Sequence, residues 1–424
     1  MPNGLSTSHL FRPKIAAVLA GDYCFSRFRK DAIAGLTVAV VALPLSMAIA
    51  VASGVAPERG LYSAIIGGAL VSALGGSRFQ IGGPAGAFIV LVATTVGNFG
   101  VPGLLLTVFL SGLLLTLLGL LKVGSLIRLV PHAVTVGFTC GIAAIILASQ
   151  LKDLLGLRLP GAEPGPLLAK ARVLAAALPT LTPLAALVGL ATAAIILALR
   201  RWRPLWPGMM IAVALGAAVT NLFHFPIDTI GSRFGEIPGA LAAPLLPAMS
   251  WREIERMLPS VFSFTLLGGI ESLLSAKVAD GMTGRVHRAN MELVAQGIAN
   301  VAAALFGGIS VTGTIARTAT NIRAGAQTPL AGIMHAGFLL AFMLLAAPLA
   351  SFIPMPSLAG ILVVVAWNMA DGPEMLDLLR HPRSAAVFLA TFLSTLIWDL
   401  TIGIALGCLL ACLIGLLDRA IRRS

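Results

Sequence analysis

The chain has 424 residues, of which 58% are hydrophobic and 11% charged, and its mean hydropathy is +0.97. A soluble domain carries about 25% charged residues, so this composition excludes a soluble enzyme or a soluble nucleic-acid-binding domain and describes a polytopic membrane protein built of helices. The net charge of +12 does not point to nucleic acid, because the bases are spread over short loops between apolar runs, as the positive-inside bias requires.

Residues 1–30 form a basic, polar segment without a cleavable signal pattern, so the first spanning helix is expected to direct insertion. Asp31 opens the run DAIAGLTVAVVALPLSMAIAVASG, long enough to cross a bilayer at about 20 residues. Pro44 inside it removes a backbone donor and predicts a kink. Residues 60–75 form a shorter span rich in small residues that allow close helix contact. In QIGGPAGAFIVLVATTVG, residues 80–97, the triplet Gly82, Gly83 and Pro84 breaks the chain. The run from Ala85 is too short to span, and Pro84 suits the first residue of a half-helix. Runs at 103–121, 129–150, 183–200 and 206–222 complete a first half over residues 31–222.

Residues 223–258, with Asp228, Arg233, Glu236, Glu253 and Glu255, read as a surface connection. The second half, 259–418, holds runs at 259–279, 290–308, 329–347, 356–370, 384–398 and 399–417, before a basic end at 419–424. Trp398-Asp399 marks a tight turn or a pair of short helices. Between the second and third of these runs lies GGISVTGTIARTATNIR, residues 307–323. Its glycines and threonines argue against a continuous membrane helix and for a short helix beginning near Gly313. First-turn N–H groups have no intrahelical partner and carry the positive end of the helix dipole, which favours an anion. Arg317, about one turn further in, adds a full charge.

The two breaks correspond. Pro84 follows Asp31 by 53 residues and Gly313 follows Pro259 by 54, and each break is the third apolar element of its half. Paired interrupted segments at matching positions predict an inverted-repeat transporter with its site at the repeat interface. Seven elements per half is odd, so the second half enters from the opposite side. With a cytoplasmic N-terminus, 20 of the 29 Lys and Arg residues fall on cytoplasmic segments and eight outside, leaving Arg317 in the membrane. Arg200, Arg201, Arg203 and the terminal Arg419, Arg422 and Arg423 then lie inside.

Glu271 and Arg317 are the clearest ionisable residues inside apolar runs, where a charge costs at least a few kcal/mol unless paired or wetted. They are expected to pair, either as a static bridge between helices or within a cavity shared with substrate. Ser275, one turn after Glu271 on the same face, adds a hydroxyl. His335 reads as a packed or hydrogen-bonded helix residue, Lys277 and Asp280 as snorkelling groups, and Asp399 as interfacial. Thr94, Thr95, Thr318 and Thr320 are expected to bond their own helix backbone. Cys24, Cys140, Cys408 and Cys412 lack metal-ligand spacing, and the three in apolar runs read as buried thiols. No nucleotide loop, metal cluster or nucleophile–base pair occurs, so neither a cofactor nor enzymatic chemistry is expected.

Three stretches resemble the sulfate permease (SulP) family of anion transporters: residues 31–88, from DAIAGL to GGPAGAF; GGIESLLSAKVADGMTGRVHRANMELVAQGIANVAAALFGG; and GTIARTATNIRAGAQTPLAG. The resemblance implies a seven-plus-seven inverted repeat with core and gate domains and an anion site between the facing N-termini of the third and tenth elements. On that pattern Ala85 meets the anion from the third element, Thr314, Ile315, Ala316 and Arg317 from the tenth, and Leu45 and Ile49 line the first helix. Glu271 and Arg317 occupy the positions of an acidic–basic pair in proton-coupled members, whereas sodium-coupled bicarbonate members lack the arginine. Many members have Pro-Gln where this chain has Pro44-Leu45, which removes a polar contact. Members usually continue into a cytoplasmic STAS domain, which has no counterpart before Ser424.

The expectation is therefore a secondary transporter of a small inorganic or carboxylate anion in a bacterial inner membrane, both termini cytoplasmic. Symport with a proton through Glu271 is the first reading. An uncoupled chloride or bicarbonate exchanger or leak pathway, with Glu271 and Arg317 structural, is the second, and a non-transporting receptor or scaffold the third. A nucleobase carrier shares the architecture, but a cationic side chain suits an anion better. Small-residue faces along the chain are compatible with a homodimer.

Overall fold

A computed structural model describes residues 11–421 except 20, 22, 125–130, 162–166, 205, 248–250, 371 and 399. The expectations for Asp399, Arg422 and Arg423 lie outside the described residues. A short helix α1 (Lys14–Leu19) precedes α2 (Phe25–Ala52), which runs uninterrupted through Pro44. The second element is one helical path, α3 (Pro57–Tyr62), a π turn (Ser63–Gly67) and α4 (Gly68–Leu74). Then come a two-residue strand β1 (Gly82–Gly83), a 3-10 turn (Gly86–Phe88) and α5 (Ile89–Leu120).

Gly100 breaks α5, with φ 67° and ψ −176°. A glycine tolerates this left-handed region where other residues do not, so residues 89–99 form the half-helix and 101–120 the fourth element. At about 1.5 Å per residue the half-helix is about 16 Å long, roughly half the hydrocarbon thickness. The remaining elements of the first half are α6 (His132–Leu155), α7 (Leu167–Ala177), α8 (Pro183–Trp202) and α9 (Gly208–Leu222). A short α10 (Ile230–Phe234) lies in the connection.

The second half begins with α11 (Trp251–Thr283), whose first turns lie inside the stretch read as connection. It continues through α12 (Ala289–Leu305), β2 (Thr312–Gly313), α13 (Ile315–Arg323), α14 (Leu330–Ala350) and α15 (Met355–Met369). The chain closes with α16 (Gly372–Arg380), α17 (Pro382–Ile397) and α18 (Leu400–Ile421). Four helices were not foreseen, the short α1 and α10 and the longer α7 and α16. Helices α7 and α16 each follow the fifth spanning element of their half, so these two respect the repeat.

Packing carries the same symmetry. Helix α14 lies on α2 as α5 lies on α11, and α17 lies on α6 as α8 lies on α15. The pairs α8–α9 and α17–α18 also correspond. The contacts separate a core of α2 to α5 and α11 to α14 from a gate of α6 to α9 and α15 to α18, the core–gate arrangement of a seven-plus-seven inverted repeat. The two domains meet where α15 and α9 touch α2, and where α6 and α15 touch the 3-10 turn.

Within the core, α5 and α12 approach until their backbones nearly touch. A Cβ on Gly112 would stand 2.7 Å from the Gly297 carbonyl oxygen, and one on Gly297 would overlap Thr116. Small residues at such a crossing let dispersion contacts accumulate where lipid supplies no hydrophobic drive. Gly297→Val should therefore lose about 1–3 kcal/mol through overpacking, read as a lowered melting temperature in detergent. Gly281→Ala, at a helical glycine with open space around it, should not lower it.

Candidate functional site

The strands β1 and β2 pair antiparallel, Gly82 opposite Gly313 and Gly83 opposite Thr312. This pairing joins the third and tenth elements at the point where each stops being a strand and becomes a helix. Gly313 is required there because Gln80 fills the place a Cβ would take, and the Gln80 amide donates to the Ser272 carbonyl at 3.0 Å. The Thr314 N–H donates to the Ile81 carbonyl at 3.0 Å, and the Ile81 N–H donates to Thr318 Oγ1 at 3.1 Å. Helix α11 buttresses the crossing through Ser272, whose hydroxyl lies 2.8 Å from Thr312 Oγ1 and accepts from the Gly313 N–H at 3.2 Å. On α12, Asn300 clamps Val311 like an extra strand, donating to its carbonyl at 2.7 Å and accepting from its N–H at 2.9 Å. Broken backbone inside a membrane protein needs such partners, because lipid offers none.

Both helix starts are uncapped by side chains, with Ala85 and Thr314 at the cap positions. Their first-turn amides therefore keep their partial positive charge for a ligand. Ala85 is buried, while Ile315 and Ala316 are exposed, so the tenth-element end opens to a solvent-accessible space. The gate packs against the start of the third element. Ile146, Val365 and Met369 lie within 3.5–3.8 Å of where a Cβ on Gly86 would sit. Leu45 and Ile49 are buried on α2, the core helix against which α9 and α15 pack.

Arg317 departs from the expectation. Its side chain is 2% exposed and turns beneath the third-element break, where Nη2 donates to the Pro84 carbonyl. A Cβ on Gly83 would overlap the guanidinium. Nε and Nη1 are buried without a hydrogen-bond partner among the described residues. Glu271 is only partly buried and makes no hydrogen bond or ion pair among the described residues. The expected Glu271–Arg317 pair is thus not formed in this conformation. The physical reason is the free carbonyl left by the broken third element, which gives the guanidinium an acceptor closer than the carboxylate. Pro84 also precedes the helical turn instead of opening it, so its carbonyl is available.

Gly268, Glu271, Ser272 and Ser275 recur at helical spacing along one face of α11. The Gly268 end of that stripe faces Phe88, whose ring would lie 3.7 Å from a Cβ there. Ser275 is fully buried, and its hydroxyl donates to Thr318 Oγ1 at 3.2 Å. Thr318 therefore serves the neighbouring segments, where its own helix backbone was expected to be its partner. Thr95 and Thr320 do bond their helices, to the carbonyls of Leu91 and Ala316. His335 is fully buried, with both ring nitrogens unpartnered among the described residues. Asp280 binds His287 Nδ1 at 2.6 Å. None of the four cysteines forms a disulfide; Cys140 is buried, Cys408 partly buried, and Cys24 and Cys412 are exposed. The sequence reading missed Gln80, Ser272, Thr312 and Asn300. Their one visible signal was polar residues flanking a glycine break.

Fold and site together define an inverted-repeat membrane transporter in which two broken segments cross within the core. A model of the sulfate permease family matches residues 28–391, and the chain belongs to that family. It is 44% identical over 370 residues to "Putative sulfate transporter YvdB" of Bacillus subtilis, covering 87% of this chain and 69% of the relative. It is 33% identical over 358 residues to the bicarbonate transporter BicA of Picosynechococcus, covering 82% of this chain and 62% of that protein. Among solved structures, the transmembrane domain of a cyanobacterial BicA superposes with a TM-score of 0.79 at 31% identity, covering 92% of this chain and 98% of that one. The murine anion transporter Solute Carrier 26 family member A9, in its inward-facing state, superposes with a TM-score of 0.88 at 18% identity, covering 99% and 73%, and shares the fold.

Proposed function

We propose that this chain is a secondary transporter of a small anion of the sulfate, bicarbonate or dicarboxylate class, working by alternating access. The anion is held at the first-turn amides of residues 85–87 and 315–317, where Leu45 and Ile49 supply the apolar wall. The observation that carries the reading is the buried Arg317 guanidinium, which spends one donor on Pro84 and lies behind both helix starts. Its charge outweighs the dipoles. Each helix end contributes typically 0.3–1 kcal/mol, whereas a unit charge at about 6 Å and an effective dielectric near 20 contributes about 3 kcal/mol. Ser275 acts at one remove, by holding Thr318 and so the tenth element in place.

Glu271 is the coupling carboxylate of this reading. An arriving anion adds negative charge near it and favours its protonated form, so proton and anion binding are mutually favourable. A resident arginine supplies the positive charge that a sodium ion would otherwise bring, which argues for the proton as coupling ion. One observation favours an uncoupled exchanger instead: Glu271 does not touch Arg317, so no direct bridge transmits the proton's effect. By the distribution of bases both termini are cytoplasmic, in a bacterial inner membrane.

Uptake of labelled sulfate, bicarbonate and dicarboxylates into liposomes tests the proposal. Accumulation of one of them under an acid-outside gradient is the expected result. Flux that follows membrane potential and ignores pH points to the uncoupled exchanger, and no uptake or counterflow of any anion contradicts transport.

A further inference from the structure

Two of the passages of the chain between gate and core are bonded to each other. The inter-repeat connection leads from α9 to α11, and residues 351–354 lead from α14 to α15. The Ile230 N–H donates to the Ile353 carbonyl at 2.9 Å, and the Gly231 N–H donates to the Ser351 carbonyl at 2.9 Å. The Met355 N–H in turn donates to the Asp228 carbonyl at 2.8 Å. Thr229 and Pro354 thereby face each other antiparallel, as the close, non-hydrogen-bonded pair of a ladder does. Thr229 also closes a capping box with Ser232 at the start of α10. Residues 228–234 and 351–355 form one joint.

The joint is fastened to the gate. It runs directly into α15, and Arg233 Nη1 lies 2.8 Å from Asp153 Oδ1 near the end of α6 in a partly shielded ion pair. The pair borders a cavity of about 370 Å³ walled by α6 and the residues after it, α8, α15 and the connection. Lys152, Arg158 and Asp228 are the other charged groups on those walls.

On the core side both legs are weakened. Pro348, near the end of α14, has no N–H to give to the carbonyl four residues back. The turn beyond it closes through Ser351, Phe352 and Ile353, each bonded to the carbonyl three residues back at 3.1–3.3 Å. In the other leg, Gly235 ends α10 at φ 79° and ψ −159°, a region essentially confined to glycine. A Cβ on Gly235 or Gly239 would find nothing within 4 Å. Past these glycines the connection is tied to the core. The Leu245 N–H donates to the Leu305 carbonyl at 2.8 Å, and the Tyr62 hydroxyl reaches the Ala240 carbonyl at 3.5 Å.

We propose that this joint travels with the gate as a rigid piece, and that core and gate bend relative to each other at Pro348 and at Gly235–Gly239. The inference rests on the alternating-access reading, which requires the two domains to move. Hinges are a few loop or element-terminal positions that absorb the backbone change beside segments that do not. Here the bonded joint is the segment that does not, and one break lies on the core side of each leg. Because both legs leave the same gate-fixed block, they bend together, and the Asp153–Arg233 pair holds the block in place.

The test measures pulsed EPR distances on the full chain in detergent, with Cys24, Cys408 and Cys412 replaced by serine. Spin labels are placed at exposed positions, on Asp228→Cys for the joint, Ala176→Cys on α7 for the gate and Asn98→Cys for the core. Distances are recorded without added anion and with sulfate, bicarbonate or succinate. The joint–core and gate–core distances are expected to shift together, while the joint–gate distance keeps one narrow distribution. Arg233→Asp sets two carboxylates against each other and should broaden the joint–gate distribution, and adding Asp153→Arg should narrow it again. A joint–gate distance that shifts while the joint–core distance stays fixed overturns the hinge and leaves alternating access standing. Gate–core distances fixed under every condition overturn both. An unbroadened distribution in Arg233→Asp overturns the part given to the ion pair.

Discussion

Replacing Arg317 with alanine is expected to weaken binding of the transported anion by about a hundredfold, the equivalent of the roughly 3 kcal/mol that a buried unit charge contributes near 6 Å. The effect should exceed that of any single residue lining the cavity, because helix ends offer only partial charges. Two roles are mixed in this residue, since the guanidinium also bridges to the Pro84 carbonyl and so links the tenth element to the third. Arg317→Lys separates them. Lysine keeps the charge but is a point donor without the planar fork, so it should recover much of the affinity while leaving the crossing less stable to heat. If alanine and lysine variants melt alike and both bind the anion as the parent does, the charge plays no part in recognition. Equilibrium binding of the labelled substrate, alongside melting curves, gives both readouts from the same preparations.

Glu271→Gln should leave anion binding and exchange intact while abolishing accumulation driven by a proton gradient. For one proton carried per anion, each pH unit across the membrane is worth about 1.4 kcal/mol, about a tenfold concentration ratio. In liposomes clamped at zero potential the parent should approach that ratio, and the glutamine variant should settle near unity. The sign follows from the residue. The neutral amide mimics the protonated, anion-accepting form and cannot release a proton on the other side. The structure adds a constraint, because Glu271 lies on the α11 face that carries Ser272 and Ser275 without meeting Arg317. Coupling therefore acts through space, or through a rearrangement during the cycle. A glutamine variant that still concentrates the anion against the gradient removes Glu271 from the coupling role.

Much of this architecture is written in local sequence. Gly82-Gly83-Pro84 and the glycines around Thr312 announce broken segments, and their matching distances from Asp31 and Pro259 announce the repeat. The structure places both breaks where those glycines stand, and pairs them. The partner of Arg317 was not legible for a definite reason. Glu271 is visible as a carboxylate, whereas the acceptor actually used is a main-chain carbonyl, which every residue possesses and no letter marks. Thr318 was misread in the same way, since a threonine hydroxyl reaches its own helix or a neighbouring strand with equal ease. Helices α7 and α16 escaped because 11 and 9 residues give too few turns for a periodic pattern to stand out among loop residues. Their matching positions become apparent only once the repeat is known.

The central claim is that the two uncapped helix starts, backed by Arg317, hold one anion between core and gate. Anomalous diffraction from crystals grown with selenate or bromide tests it most directly. A peak within hydrogen-bond distance of the amides of residues 85–87 or 315–317 is the predicted result. Full occupancy elsewhere in the membrane region, with no peak at the crossing of β1 and β2, would contradict the account.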